Sequence, residues 1–239
     1  MKIISWDVGI YNLSYCIIEK NDETSELTIL GWDIVNLVDN ELMKKNRNLL
    51  FENIPRKLYE IPQLLDVDIV VIENQPSLKN PQMKSIQMIL YSYFLILGKI
   101  IGNGEKSNSY INTIDFCSAS NKLKIYDGPE IILKSKKPRK IKTNILIDES
   151  KEENNDINCE NKEEQYIEEP IIEEPSKKKG SGLKYSDKKK LAIEHAKYFI
   201  EKISPEHKDF FESHKKRDDL ADSFLQGLYY LGKIKKIKK

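Results

Sequence analysis

Histidine and cysteine are scarce: three of each occur in 239 residues. The cysteines (Cys16, Cys117, Cys159) lie far apart, with no CxxC pair and no Cys/His spacing. This excludes a structural zinc site and a disulfide framework, and fits a reducing compartment. The histidines (His195, His207, His214) make no HExxH motif and no pair at helical spacing, so a soft or borderline metal has no ligand set. Glycine is sparse too, and Gly31, Gly98, Gly102, Gly104 and Gly128 form no phosphate-binding loop. That weighs against an actin-like or sugar-kinase ATPase, which also opens on a strand ending in DxG. No run approaches the roughly 20 apolar residues of a membrane span. No basic segment followed by an apolar run opens the chain. A soluble, intracellular protein is expected. A strong net charge is also missing, at +1, but this averages an acidic block with several basic ones.

What is present clusters into short apolar runs. Ile3-Ile4-Ser5-Trp6-Asp7-Val8-Gly9 reads as a strand with a carboxylate near its end and a glycine after it. Leu13 to Glu19 and Leu27 to Ile34 continue as strands joined by short turns, which suggests an antiparallel meander. From Leu37 to Leu65 the apolar spacing becomes helical, with Pro55 predicting a kink or a split. Ile69-Val70-Val71-Ile72 is a continuous β-branched run, fitting a strand buried on both faces, and it ends in Glu73. A helix between two strands predicts a parallel, right-handed crossover that puts Asp7 and Glu73 at the same sheet edge. A second helix is expected over Gln82–Ile101, stopped by Gly102-Asn103-Gly104. A strand over Tyr110–Phe116 follows. Beyond it, Ser118, Ser120 and Asn121 are placed to cap a short helix or contact phosphates, and Lys122 faces the acidic edge.

Residues 134–142 are basic, and Asp148 to Glu174 holds twelve Asp or Glu against two Lys. No apolar period survives there, so Lys134 to Gly182 reads as largely disordered. The chain therefore divides into a core segment 1–130, a charged insert 131–182 and a C-terminal core segment 183–239. In the last, Ser186 is the expected N-cap of a helix running to Ile203, with His195 as a packing residue on its apolar face. Pro205 to His214 reads as a short helical connection. The final helix opens with Lys215-Lys216-Arg217-Asp218-Asp219-Leu220-Ala221-Asp222-Ser223, and its basic tail from Lys233 is expected to fray.

Asp219 and Asp222, three apart, share one helix face beside an apolar stripe. The helix dipole accounts for Asp218 or Asp219 but less well for Asp222, a turn further in. Four carboxylates thus stand out: Asp7, Glu73, Asp219 and Asp222. Oxygen-only ligands suit Mg²⁺ or Mn²⁺. Acidic sites with two metals ~4 Å apart serve phosphoryl transfer, and the basic segments fit a polyanion.

Asp7-Val8-Gly9, Ile72-Glu73-Asn74-Gln75-Pro76, Phe116-Cys117-Ser118-Ala119-Ser120-Asn121-Lys122-Leu123 and Lys216-Arg217-Asp218-Asp219-Leu220-Ala221-Asp222-Ser223 occur in that order. This set resembles the RuvC-type Holliday junction resolvases, most of all the branch of poxviruses and other large DNA viruses, over roughly residues 1–125 and 183–233. The resemblance implies an α/β, RNase H-like fold with a mixed five-stranded sheet and helices on both faces. It implies a homodimer and Mg²⁺-dependent paired cuts across a four-way DNA junction, at sites of viral DNA replication in a host cell. Its four acidic ligands fall on Asp7, Glu73, Asp219 and Asp222, with Asp218 the rival of Asp219. A basic residue ahead of the last helix is implied near the scissile phosphate, from among Lys184, Lys188, Lys189 and Lys190. Lys122, Lys184, Lys188, Lys216 and Arg217 are the expected DNA contacts. The competing readings are an RNase H-like nuclease for flaps, other branched DNA or RNA–DNA hybrids, and a non-catalytic junction-binding protein.

Overall fold

The computed structural model describes residues 1–78, 80–102, 111–131 and 184–237, all within one compact unit. The charged insert expected over 131–182 lies outside the described residues except for Ile131.

Five strands form one sheet in the order β3-β2-β1-β4-β5. The strands are β1 (Lys2–Val8), β2 (Asn12–Lys20), β3 (Leu27–Asn36), β4 (Ile69–Asn74) and β5 (Thr113–Ser118). The first three make the predicted antiparallel meander, Trp6 opposite Tyr15 and Cys16 opposite Trp32. β4 then pairs parallel to β1, with Ile3 opposite Ile69 and Trp6 opposite Ile72, and β5 parallel to β4. The central strands β1 and β4 are β-branched because both their faces are covered.

Strand alternation sorts the side chains into two cores. Ile4, Trp6 and Val8 of β1, with Val70 and Ile72 of β4, face a layer containing α2 (Arg47–Tyr59) and α3 (Pro81–Tyr93). Ile3, Cys16, Ile18 and Trp32 face the opposite layer of α4 (Tyr185–Ile203), α5 (Lys208–Ser213) and α6 (Arg217–Ile237). Each fully buried Ile or Leu in these layers contributes about 1.5–3 kcal/mol. Asp7 and Glu73 belong by alternation to the second face, so the same periodicity that builds the core aims both carboxylates at α6.

The helices depart locally from the sequence reading. The expected break at Pro55 falls instead at Asn46, between α1 (Glu41–Lys45) and α2. The Asn46 side chain accepts from the backbone N–H groups of Asn48 and Leu49, capping a new helix. Pro55 stays inside α2, whose two halves are both anchored by fully buried Ile54 and Leu58. α3 does not run uniformly to Ile101: it passes into a π-helical stretch, Phe94–Ile101. Its Gly98 is needed because a Cβ there would lie 2.2 Å from Ile111 Cδ1. Gly102 follows in a right-handed conformation, not the left-handed one of a glycine stop. α4 begins at Tyr185, with Lys184 rather than Ser186 at the capping position. α6 remains helical to Ile237, past the point where fraying was expected. Pro205 to His214 holds two short helical turns, as the sequence suggested. His195 is buried and stacked on Tyr126, a packing residue as read.

One further difference concerns apolar length. Pro81–Ile101 is long and apolar enough to cross a membrane, with a mean hydropathy of 1.3, although its sequence was read as too short. Ile86, Leu90, Tyr93 and Phe94 are buried in the sheet core, whereas Met88, Ile96, Ile100 and Ile101 are exposed.

Candidate active site

β1 and β4 run side by side in the same direction, and each carries an acid near its C-terminal end. α6 crosses the sheet at this edge. Gln226 Nε2 donates to Ser5 Oγ and to the Trp6 carbonyl, both at 3.1 Å, pinning the helix to β1 beside Asp7. Gly227 lets the two approach: a Cβ there would lie 2.9 Å from Ile18 Cδ1 and 3.2 Å from Ser5 Cβ. Ser223 Oγ meets Ser14 Oγ at 2.9 Å, and Trp32 Nε1 donates to the Leu220 carbonyl at 3.1 Å. These contacts fix two turns of α6 over the strands and leave Asp222 at the sheet edge.

The carboxylates converge on a lysine. Lys122, in the 3₁₀ segment Ala119–Ile125 after β5, places Nζ 2.6 Å from Asp7 Oδ1, 2.9 Å from Glu73 Oε1 and 3.0 Å from Asp222 Oδ2. Its side chain is only 5% exposed. Burial alone would lower its pKa, but Asp7, Asp222 and Glu73 outweigh that and hold it well above its ordinary value. The acids pay the opposite way. Burial, then the Asp7 charge, lifts Glu73 to about 7, against the pull of Lys122. Burial lifts Asp222 to about 6, with Lys122 opposing and Asp7 adding to the rise.

Glu73 is further held through its second oxygen. Oε2 accepts from Gln75 Nε2 at 2.6 Å and from the Val8 N–H at 3.4 Å. Asp219, one turn before Asp222, is raised by burial and by the charges of Asp218 and Asp7. It also lies 3.7 Å from Lys216 Nζ. Asp218 turns away to a short ion pair with Lys189 of α4. Burial would raise Asp218, but the Lys189 contact prevails and lowers it.

The expected residues thus separate. Asp7, Glu73 and Asp222 meet, and Asp219 borders them within reach of the Asp7 charge. Lys122 is at the centre of the acids and buried. Lys184, Lys188 and Lys216 are exposed near the starts of α4 and α6, and Arg217 is half-buried at the first turn of α6. Lys189, one of the lysines considered for the scissile phosphate, is paired with Asp218. The sequence reading missed the amides Gln75, Gln87 and Gln226. Gln75 stood inside a quoted motif, but nothing in its spacing marked it as a partner of Glu73.

Among the described residues no group of three His, Cys, Asp or Glu is spaced to grip an ion directly. The acids close around the Lys122 ammonium, which stands where a cation is wanted. The donor set fits a hard divalent ion: every ligand is a carboxylate oxygen, and the acids already tolerate one another only through a shared positive charge. Asp7, Glu73 and Asp222 would hold such an ion, with Asp219 beside them. When bound it would activate water and stabilise a leaving oxygen.

No protein-family model matches the chain. An uncharacterized protein of Acanthamoeba polyphaga mimivirus is 30% identical over 198 residues, covering 81% of this chain. The chain spans 37% of the length of that relative. Among solved structures, the Fowlpox virus resolvase in complex with substrate Holliday junction DNA superposes with a TM-score of 0.53 at 17% identity, covering 98% of this chain and 99% of that one. The yeast mitochondrial Holliday junction resolvase also gives 0.53, at 15% identity, over 96% of this chain and 78% of that one. The chain shares the fold of these two solved structures.

Proposed function

We propose that this chain is a structure-selective endonuclease that resolves four-way DNA junctions by paired, metal-dependent phosphodiester hydrolysis. The observation that carries the proposal is the meeting of Asp7, Glu73 and Asp222 around one buried cation, at the edge of a resolvase-type sheet. Mg²⁺ is the natural cofactor, with Mn²⁺ as a substitute. Asp219 is the fourth ligand, since Asp218 is engaged by Lys189. Lys122 is the lysine of the scissile phosphate, and Lys184, Lys188, Lys216 and Arg217 contact the DNA backbone. Replicating viral DNA within a host cell is the substrate pool this reading implies.

Paired cuts need two active sites, so the functional form is a homodimer. The exposed apolar face of α3 and the π stretch supports this. With α2 it borders a groove of about 1110 Å³ that includes Met88, Ile89 and Ile96, an apolar surface of the kind that marks an association site.

The deciding experiment is cleavage of a synthetic four-way junction with Mg²⁺, beside linear duplex, flap DNA and an RNA–DNA hybrid, using wild type and Asp7→Asn. Symmetric paired nicks in the junction, lost in Asp7→Asn, are expected. Equal cutting of flaps or hybrids would replace the junction with a broader substrate class. Junction binding without any cutting would leave a binding protein.

A further inference from the structure

We infer that Gln75 and Gln87 form a buried amide relay that orients Glu73 for its cation, making both of them positioning residues of the metal site. The inference rests on the reading of that site given above. Gln75 Nε2 donates to Glu73 Oε2 at 2.6 Å and lies 3.5 Å from the Val8 carbonyl. Both neighbours are acceptors, so the amide orientation of Gln75 is fixed. With Oε2 held in this way and by the Val8 N–H, Glu73 is left with Oε1 facing the shared cation position, 2.9 Å from Lys122 Nζ.

Gln75 is in turn held from α3. Gln87 Oε1 accepts from the Gln75 backbone N–H at 2.8 Å and from Lys84 Nζ at 3.1 Å. Two donors on one oxygen fix this amide as well. The consequence is costly: Gln87 is wholly buried, and its Nε2 has no hydrogen-bond partner among the described residues. A buried donor left unpaired lowers stability, and an apolar side chain would fill the same space without that loss. Packing alone therefore does not account for a glutamine here. Its oxygen does: it anchors the backbone two residues beyond Glu73, where β4 ends and the chain would otherwise swing free. Groups that orient a metal ligand commonly change affinity or activity by about 10–100-fold when removed.

The test is Mn²⁺ binding by the full chain, by calorimetry and by the thermal upshift the metal produces, in wild type, Gln75→Leu and Gln87→Met. Junction affinity without divalent metal and metal-free melting serve as controls. Gln75→Leu is expected to weaken Mn²⁺ binding by about 10–100-fold, with junction affinity retained. Gln87→Met, a step further from Glu73, is expected to weaken it by a smaller factor; it exchanges the unpaired Gln87 Nε2 for an unpaired Gln75 N–H, so it should melt close to the wild-type temperature. Should Gln75→Leu fail to fold, Gln87→Met decides alone, because it removes no partner of a carboxylate. Mn²⁺ affinity within twofold of wild type in the folded variants overturns the relay and leaves the metal site standing. A wild-type chain that takes up no Mn²⁺ overturns both.

Discussion

Replacing Lys122 with methionine tests the electrostatic logic of the site most directly. Met keeps the volume of the lysine stem and removes only the ammonium. Three carboxylates within 3.0 Å then lose their common partner. Breaking a buried ion pair by deleting one member costs about 3–5 kcal/mol, because the remaining charge is left uncompensated. The cell of acids has a relief: Glu73 and Asp222 already titrate at about 7 and about 6, and both move higher once Lys122 stops pulling them down. Each unit by which a pKa lies below the working pH costs about 1.4 kcal/mol to overcome by protonation. The loss should therefore sit at the lower end, about 3 kcal/mol at pH 8. It should shrink to about 1 kcal/mol at pH 5, where the Glu73 and Asp222 carboxyls are protonated. The assay is urea unfolding of both proteins at the two pH values, with and without Mg²⁺. Saturating metal should restore the variant at pH 8, by about 2.7 kcal/mol at 100 times its Kd. A variant as stable as wild type at pH 8 without metal, or a loss independent of pH, would refute the picture of carboxylates held together by one ammonium.

Further expectations follow from the same geometry. In metal-free wild type, Glu73 and Asp222 bind protons in the folded state at pH values where the unfolded chain has released them, so stability should fall as pH rises from about 4.5 through 7. Urea titrations across that range should show a loss of roughly 4–5 kcal/mol from the two groups together, and Mg²⁺ should flatten it. Asp7→Asn, Glu73→Gln and Asp222→Asn should each reduce junction cleavage by at least about 100-fold with junction binding retained in gel-shift assays. Trp32→Phe should cost about 1–3 kcal/mol in chemical denaturation, mainly from the space it opens among Phe210, Phe211 and Phe224, because Ser223 Oγ still donates to the Leu220 carbonyl at 3.0 Å. Gly98→Ala should cost about 1–3 kcal/mol, read as a lowered Tm, because the new methyl meets Ile111.

Much of this arrangement was legible in the sequence because it is carried by short periodic segments. Two β-branched runs, each closed by an acid and separated by helix, sufficed to place Asp7 and Glu73 at one edge. The i, i+3 spacing of Asp219 and Asp222 announced a helix face with more acid than a helix wants. What escaped notice depended on long-range geometry. Lys122 was placed facing the acidic edge, yet nothing local says that its ammonium is buried among three carboxylates, one of them 115 residues away. The break at Asn46 was missed because proline is the louder local signal. The burial of Ile54 and Leu58 overrides it, while an ordinary asparagine does the capping. The π stretch depends on Ile111 seating where Gly98 lacks a side chain, a contact no sequence period reveals. For Gln87, a buried glutamine on an apolar helix face looks like a blemish until its partner on β4 is known.

The delivery of Asp222 by α6 has a consequence in time. Strands β1 and β4 and their acids are made early in synthesis, but the helix that completes the cluster comes after residue 217. Until it docks, Asp7 and Glu73 stand at an open sheet edge, with neither Asp222 nor the Gln226 clamp that secures the turn bearing it. A half-made chain thus carries the beginnings of the acidic cluster without being able to complete it. Any chain broken off before α6 also lacks much of one core layer, so the two strand acids are left without the helix that buries them.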